Sequence, residues 1–570
     1  MRTIQVTKVQ DRLNALKMKL EQHLSETETN LRADLDGDMQ YVVFLSVGNP
    51  DIRARVVKAS ADNFMTAWNR VQRSFLTLVT KKYIDPQWIK VDLVSHMTKW
   101  EYGSFQEYLA TVKKNYFRKG IAFDRDFRIA FLEQELNGYA MIRANEDDRQ
   151  ELDEKNINNY LNYNYSDAPI FVERFYHNRS IYTFETIGYI DDAGEVFELY
   201  RGELTNGIRK VERLDLELQQ LIHKSTNYLV SQIHADGKFN YGYFPCFAKD
   251  IGTYNILRHA STLYAMAEGY EVLRDEAILQ AINRGIGFLI DNAIVYRDNQ
   301  AYVVDHANHR EIKAGSNAHA ILALTKLMQV TGDHRYIDLA RALGRGLLSM
   351  QQADGSFQHV WEYPSFALKD AFRTIYYEGE AVFSLLRLYD LDRQTCWMDA
   401  VKLSFQHLIR NDYWQYHDHW LSYAANEITN YAPEDEYFIF GLKNCQNKLS
   451  FIYDRNTTYP TFLELTMAAY KMVGKIEQLG KNHLLTHIDK DFLFRTIDKR
   501  SEYQRVGFCY PEIAMYFKEP KQVLGGFFIR HHAFRVRIDD IEHNLSGYCN
   551  YLTYRVPVLE NYESLTLTNV

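Results

Sequence analysis

The sequence predicts a mixed α+β domain over residues 1–205, followed by an all-α region over residues 206–570. Short β-rich apolar runs alternate with helical segments before residue 205. From about Leu214 onward, apolar residues recur at helical spacing, and the helical segments come in pairs joined alternately by very short and longer connections. The composition, with 46% hydrophobic and 25% charged residues, excludes a disordered, collagen-like or low-complexity chain.

The N-terminal region combines strand and helix patterns but has no catalytic motif. β-Rich apolar or alternating runs predict five strands, at 41–47, 54–57, 89–94, 181–188 and 196–200. Helical spacing predicts helices at 1–26, 63–79, 105–115 and 127–137. There is no P-loop and no dinucleotide-binding glycine fingerprint. A role in packing, substrate delivery or oligomerisation is therefore left open for this domain.

The second region predicts twelve helices and contains an internal repeat. The predicted helices are 213–233, 254–273, 275–292, 314–331, 334–351, 376–391, 395–411, 417–431, 434–448, 460–475, 478–497 and 538–553. The turn Ala235-Asp236-Gly237, followed by an aromatic residue, matches Ala353-Asp354-Gly355 at a second helix end. Such Asp-Gly turns after helices indicate repeated helical hairpins.

The segment 313–357, KAGSNAHAILALTKLMQVTGDHRYIDLARALGRGLLSMQQADGSF, resembles (α/α)6-toroid proteins that act on carbohydrates. These are six-hairpin glycosidases, N-acylglucosamine 2-epimerase-like proteins and the C-terminal domain of glucuronyl C5-epimerases. The resemblance covers residues 213–555 approximately. It implies an (α/α)6 toroid after the α+β domain, with a site where the N-terminal ends of the inner helices surround a funnel. The chain lacks the Cys/His zinc set of lanthionine cyclases and the acidic cluster of terpene cyclases.

Charge and cysteine usage limit the partners and the compartment. The formal net charge of −8 gives no basic footprint for nucleic acid. No apolar run of 18 residues predicts a membrane span, and the N-terminus lacks a signal-peptide pattern, so we expect a cytoplasmic protein. The five cysteines are scattered without CxxC spacing, so neither disulfides nor a thiolate zinc site is expected. No cofactor and no metal is predicted, and a homo-oligomer is left open.

The first candidate site lies at the start of the predicted helix 254–273. Asp250 is the first catalytic candidate, and His259 is a second because it enters an otherwise apolar helix. Tyr254 and Arg258 share a helix face and are candidates for sugar binding. Arg258 would pair with a carboxylate of the site or of the substrate. The alternative is a buried Arg–Asp pair that braces two helices.

The second candidate site surrounds the start of the helix 376–391. Glu378 and Glu380 are candidate catalytic carboxylates, although residues two apart on a helix point in different directions. Tyr363 and Tyr377 are expected to bind the sugar. Gly379 between the two acids would permit close packing or close approach of a ligand. The alternative for either acid is a favourable interaction with the helix dipole.

Three further groups complete the candidate residues. Asp539 and His543 are four residues apart on the last helix, so the carboxylate could orient the imidazole as a general acid or base. Arg537 before that helix would bind an anionic group. The other candidates are polar or aromatic loop residues of the funnel rim: Asp305, His306, His419 and Trp420. A core role is the alternative for Trp420, and no local ligand triad supports a metal here.

Three functions follow from these residues and from the resemblance. The first, which the sequence favours, is a glycoside hydrolase whose carboxylate pair is Asp250 with Glu378 or Glu380, about 5–10 Å apart in the funnel, with Asp539 as the reserve candidate. The second is a sugar epimerase or polysaccharide lyase, with His or Tyr on opposite sides of the funnel and an Arg clamp. The third is a non-catalytic glycan- or protein-binding toroid in surface-polysaccharide biosynthesis, with its carboxylates already paired to Arg. The high aromatic content, 14%, suits sugar stacking in all three.

Overall fold

The computed structural model describes residues 2–34, 40–165, 169–202 and 207–559. A seven-stranded antiparallel sheet dominates the N-terminal region, in the order β2-β1-β3-β8-β4-β5 with β9 on β8. Smaller antiparallel sheets lie in the connections of the helical region. The strands are β1 Tyr41–Asn49, β2 Ile52–Ala61, β3 Trp88–Glu101, β4 Gly120–Ala122, β5 Ala130–Phe131, β6 Ile142–Ala144, β7 Gln150–Leu152, β8 Ser180–Asp192, β9 Glu195–Glu198, β10 Gly242–Phe244, β11 Lys249–Asp250, β12 Ile294–Arg297, β13 Gln300–Asp305, β14 Glu311–Lys313, β15 Val360–Glu362, β16 Ala367–Asp370, β17 Phe528–Ile529 and β18 Arg535–Arg537.

Helices precede, cover and follow this sheet. They are α1 Arg2–Asp34, α2 Phe64–Lys82, α3 Tyr102–Thr111, α4 Glu133–Gly138, α5 Glu154–Asn164, α6 Leu214–Gln232, α7 Ile256–Leu273, α8 Glu276–Ala293, α9 Ala314–Thr331, α10 Ile337–Ser349, α11 Tyr376–Asp392, α12 Thr395–Arg410, α13 His419–Ile428, α14 Asp435–Gln446, α15 Leu449–Asp454, α16 Thr461–Gln478, α17 Lys490–Tyr503, α18 Pro511–Ala514 and α19 Ile538–Tyr554. The β-rich N-terminal region and the mostly helical character of the remainder agree with the prediction, but the remainder is not all-α: strands β10–β18 form small sheets in the connections between its helices.

The N-terminal sheet forms where apolar residues alternate. β1 pairs with both β2 and β3, with Val43 opposite Leu93. Helix α2 begins after Asn63, whose side chain accepts a hydrogen bond from the amide of Thr66, and it packs on these strands. The segment predicted as a helix at 127–137 instead contains β5 and α4. The backbone of β5 pairs with β4, and this tertiary pairing overrides the local helical pattern.

Six helices of the second region contact one another in a closed cycle, α7-α9-α11-α13-α16-α19 and back to α7. Each also packs against a neighbour outside the cycle: α8, α10, α12, α14, α17 and α6, respectively. We call the six helices of the cycle the ring. The ring helices are buried on most of their surface: every residue from Ala314 to Met328 of α9 and from His419 to Ile428 of α13 is buried. Together these elements correspond to the twelve predicted helices.

One predicted helix begins later than its pattern suggested. The pattern predicted a helix at 478–497, but α16 continues to Gln478 and α17 begins only at Lys490. Gly480 has a φ of 67°, a left-handed conformation that ends the helical path. The side chain of Asp489 then accepts a hydrogen bond from the amide of Phe492 and caps the new helix.

Buried contacts join the sheet to the helical region. Arg209 and Glu512 form an ion pair of 2.7 Å, and both are almost fully buried. The amide of Ala54 in β2 donates to the carbonyl of Met515.

The predicted domain boundary between residues 205 and 206 lies outside the described residues and stays a prediction. Among the described residues, no helix combines the length and the apolar character that crossing a membrane requires.

Candidate active site

The first two turns of the ring helices meet at one end of the ring, where polar side chains replace the apolar core. Contacts between these turns show that the six N-terminal ends lie together, so their positive dipole ends converge on this site. Five side chains form the centre of the site, which we call the histidine cluster: His419 and Trp420 of α13, Glu464 of α16, and Glu542 and His543 of α19.

His543 is held between two carboxylates. Its Nδ1 lies 3.0 Å from Oε2 of Glu464 and 3.8 Å from Oε1 of Glu542. Burial lowers the pKa of His543, but Glu464 and Glu542 outweigh burial and raise it to about 10. Burial raises the pKa of Glu542 itself to about 7. The side chain of His543 is 20% exposed.

His419 is the second imidazole of the cluster. Asp418 caps α13 by accepting a hydrogen bond from the amide of Leu421 at 2.9 Å. The other carboxylate oxygen of Asp418 lies 3.2 Å from Nδ1 of His419 and orients that ring. The rings of His419 and His543 are nearly perpendicular, with their centroids 5.1 Å apart. Two imidazoles from different helices are therefore in contact, each with its own carboxylate.

Trp420 contacts His543 and also a further imidazole–carboxylate pair, formed by His319 and Glu380. Its ring lies 6.3 Å from that of His543 and 4.8 Å from that of His319 in α9. Nε2 of His319 lies 3.3 Å from Oε1 of Glu380. Trp420 is buried, so the core alternative describes its position well, although one edge of it belongs to the site.

Gly379 permits the close approach of α11 and α13 at this point. A Cβ atom at Gly379 would lie 2.6 Å from the amide nitrogen of Leu421 and 2.8 Å from Trp420. Of the two alternatives for Gly379, close packing is the one that the contacts show. The small residue thus helps to place His419 and Trp420 against α11.

Arg258 and the acidic start of α19 form a separate set of ion pairs. Nε of Arg258 lies 2.7 Å from Oδ2 of Asp539, and Arg258 also donates to the hydroxyl of Tyr241. Arg537 binds the same carboxylate, at 2.7 Å. Burial opposes ionisation of Asp539, but Arg258 and Arg537 outweigh it and lower its pKa. Asp539 therefore pairs with arginines, and the partner of His543 is Glu464 rather than the residue four positions earlier.

His259 has a structural set of contacts. Its Nε2 lies 2.9 Å from the carbonyl oxygen of Gly285, so this nitrogen donates. Its Nδ1 therefore accepts the hydroxyl hydrogen of Tyr254, at 2.7 Å. Both nitrogens are occupied, and burial lowers the pKa of His259 to about 4. The geometry holds His259 neutral and leaves no free nitrogen for a substrate.

This neutral histidine predicts a pH dependence of stability. Its pKa is about 4 in the folded protein and 6.5 in the unfolded chain. The stabilisation is therefore complete above pH 6.5 and is lost as the pH falls toward 4, by about 3 kcal/mol. Urea unfolding of the wild type and of His259→Gln from pH 7.5 to 4 measures this. The difference between the two free energies of unfolding should shrink across that window, and a constant difference would contradict the prediction.

The remaining predicted residues lie around the site. Asp250 is exposed on β11, and among the described residues its side chain makes no hydrogen bond or ion pair with the cluster. Asp305 is buried and pairs with Lys313 at 2.7 Å. The rings of His306 and Tyr363 lie 6.4 Å apart at the rim. These assignments stay predictions.

Glu378 and Glu380 point to different partners, as their spacing of two residues predicts. Nε2 of His359 lies 3.3 Å from Oε1 of Glu378, and the ring of Tyr377 lies 5.3 Å from that of His359. Nδ1 of His359 accepts the amide hydrogen of Arg373, so Nε2 donates to Glu378. Glu378 is thus a buried acceptor, and Glu380 is the acid nearer to Trp420.

Sequence reasoning missed two carboxylates of the cluster, Glu464 and Glu542. Both interrupt apolar helical faces: Glu464 stands between Leu463 and Leu465 and is 1% exposed. The sequence did contain a signal for these two residues, namely a charged residue at a buried helical position. Such a residue needs a partner or a function. Its partner comes from another helix, which local spacing does not reveal.

The cluster also has the spacing of a metal site. His419, Glu464 and His543 each offer one ligand atom, and these atoms lie within 4.8 Å of one another. Two imidazoles and one carboxylate are a donor set suited to a divalent transition metal. Such an ion would displace the proton that His543 otherwise shares with Glu464, so the two occupants exclude each other.

No family model and no curated protein sequence matches the chain. Solved structures that match include a sugar epimerase from a ruminal bacterium, with 12% identity and a TM-score of 0.48 over 60% of this chain and 99% of that one. A D-mannose isomerase matches with 11% identity and a TM-score of 0.47, over 60% and 99%. An α-mannanase from Bacteroides thetaiotaomicron matches with 9% identity and a TM-score of 0.43, over 60% and 97%. The predicted resemblance to carbohydrate-active proteins is confirmed, while identities near 10% leave the activity of this chain undecided.

Proposed function

We propose that the chain is a carbohydrate-active enzyme whose helical region is an (α/α)6 toroid, and that it moves a proton at the carbon next to the carbonyl of a reducing sugar. This is the chemistry of a sugar epimerase or isomerase. The observation that carries the proposal is the contact between His419 and His543 at the N-terminal end of the ring, with each imidazole held by a carboxylate.

The arrangement suits proton transfer, with two differences from the epimerase site that the sequence predicted: the two imidazoles touch each other rather than lying on opposite sides of the funnel, and no arginine belongs to the cluster. One imidazole would take the proton from C2 of the open-chain sugar, and the C2–H electrons would form an enediolate with the carbonyl. Return of a proton to C2 on the other face gives the epimer, and protonation of C1 with transfer of the O2 proton to O1 gives the ketose. Glu464 lies 3.0 Å from Nδ1 of His543 and raises the pKa of that imidazole, and Asp418 lies 3.2 Å from Nδ1 of His419. The converging helix N-termini would stabilise the negative charge that develops on the enediolate oxygen.

The geometry supports a hydrolase less well. Two carboxylates must flank a glycosidic bond with space between them. Here Glu464 and Glu542 lie on one imidazole, and both are buried. Asp539 and Asp540 are neutralised by arginines, as Arg535 lies 2.8 Å from Asp540. Carboxylates already paired with arginines were the feature expected of a binding protein. The histidine cluster, in contrast, contains no arginine.

Proton exchange at C2 tests the proposal directly. The protein is incubated in D2O with glucose, mannose, N-acetylglucosamine, glucuronate or cellobiose, and the C2–H signal is followed by NMR. We expect loss of this signal for at least one sugar, together with appearance of its epimer or ketose. A parallel incubation with EDTA separates proton transfer by histidine alone from a metal-dependent reaction.

Two outcomes would contradict the proposal. One is the absence of C2 exchange with all five sugars under conditions in which the protein is folded. The other is release of a monosaccharide from an oligosaccharide without C2 exchange, which would return the assignment to the hydrolase. Exchange that survives EDTA and requires His543 would establish the acid–base reaction.

A further inference from the structure

A cavity of about 1210 Å³ lies at the opposite, C-terminal end of the ring. Tyr264, Phe383 and Tyr423 line its inner end, and stacking of Phe383 on Tyr423 with 5.4 Å between centroids separates it from the histidine cluster. The last turns of the six ring helices contribute charged or polar side chains to its wall: Glu268, Lys326, Arg387, Glu427, Lys471 and Asn550. The proposed reaction uses none of these residues.

Two lysines of this cavity have no carboxylate partner among the residues that the structure describes. Lys471 and Lys475 are one turn apart on α16. Nζ of Lys471 donates to the side-chain oxygen of Asn550 at 2.7 Å. Nζ of Lys475 donates to the hydroxyl of Thr429 at 3.1 Å and to the carbonyl of Asn426. Both ammonium groups thus donate to neutral oxygens, and Nζ of Lys471 also lies 4.8 Å from the ring centre of Tyr554.

Three acids of the cavity wall already have partners: Glu271, Glu427 and Glu268. Glu271 pairs with Lys326 at 2.6 Å, and Glu427 pairs with Arg387 at 3.0 Å. Glu268 accepts the hydroxyl of Ser546, and burial raises its pKa. The lining as a whole carries six acidic and six basic side chains, and among the described residues Lys471 and Lys475 are the two ammonium groups of α16 that line it without a carboxylate in contact.

A buried acceptor stands beside this charge. Asn426 is 6% exposed, and its Oδ1 has no hydrogen-bond partner. Nε of Arg387 is likewise without a partner. An unpaired buried polar atom is costly, and both atoms belong to side chains that line the cavity.

We propose that the cavity is a second binding site, for a small hydroxylated molecule that carries a phosphoryl group. The two ammonium groups, one helical turn apart, match the two negative charges of a phosphate monoester. The hydroxyl groups of the ligand would meet Asn426 and Arg387. The volume exceeds that of inorganic phosphate and is ample for a phosphorylated sugar.

The pKa values of the two lysines support this assignment. Burial lowers the pKa of Lys471 and of Lys475 to about 8. The charged groups that face them are Glu268, Lys326, Arg387 and Glu427, and together these do not compensate for burial. A bound dianion would raise both pKa values, so binding near pH 8 should take up protons.

Calorimetry with the full-length protein tests the second site. Glucose 6-phosphate, inorganic phosphate and glucose are titrated separately at pH 8 in two buffers that differ in ionisation enthalpy. We expect glucose 6-phosphate to bind with net proton uptake, inorganic phosphate to bind more weakly, and glucose not to bind in this cavity. Lys471→Met and Lys475→Met should each weaken binding of glucose 6-phosphate at least tenfold.

Two variants serve as controls. Lys518→Met removes an exposed lysine outside the cavity and should leave the affinity unchanged. His543→Gln alters the histidine cluster and should also retain binding, which separates this site from the proposed active site. The proposal would be overturned if the wild type did not bind glucose 6-phosphate, if binding occurred without proton uptake, or if Lys471→Met bound with equal affinity. The proton uptake is measured on the wild type, so it decides the question even if a lysine variant fails to fold.

Discussion

Replacing His543 with glutamine is expected to lower kcat for sugar C2 proton exchange by about 10²–10⁴-fold, the usual contribution of a general acid or base. Glutamine keeps a polar side chain of similar length but does not transfer protons. The Michaelis constant should change only a few-fold, because the substitution leaves Arg258 and Trp420 in place. The measurement is steady-state kinetics by NMR, with the thermal melting curve as a check on folding.

A matched histidine provides the control for this experiment. His483 is exposed and pairs with Asp435 at the surface, away from the cluster. His483→Gln should keep full activity. If His543→Gln retained wild-type kcat while folded, His543 would have no role in proton transfer, and the proposed reaction would lose its central residue.

Replacing Arg209 with methionine is expected to lower the free energy of unfolding by about 3–5 kcal/mol. Arg209 binds Glu512 through Nε and a terminal nitrogen, at 3.0 and 2.7 Å, and reaches Asp192 of the sheet at 3.0 Å. Without the guanidinium, the Glu512 carboxylate is buried without a cationic partner. Urea denaturation followed by circular dichroism measures the loss.

A second variant tests the physical reason. Arg209→Met combined with Glu512→Gln removes the uncompensated charge, so part of the lost stability should return. Arg393→Met, which breaks an exposed pair with Asp390, should cost 1 kcal/mol or less. A loss for Arg209→Met no larger than that of Arg393→Met would show that the buried pair contributes little.

The recurrence of apolar residues at helical spacing predicted most helices of the second region. The helix at 314–331 has the same bounds in the structure, and most of the others differ by a few residues. Two exceptions have identifiable causes. A glycine with positive φ, Gly480, interrupts one pattern, and the pairing of β5 with β4 overrides another.

The candidate site could be predicted only in part. His543, His419, Trp420 and Arg258 stood out as polar or aromatic residues at the starts of helices, and the structure brings them to one end of the ring. Asp539 was the expected partner of His543 because the two are one helical turn apart. The contact is instead made by Glu464 from α16, and Asp539 is paired with Arg258.

The sequence by itself determined the division of the chain, the positions of the ring helices and which polar residues begin them. These properties depend on local spacing, since a helix repeats every 3.6 residues whatever surrounds it. Only the tertiary structure decided which carboxylate holds which imidazole, and that Lys471 and Lys475 share a cavity without an acid between them. Such contacts join residues far apart in the chain, and they depend on how the helices pack around the ring.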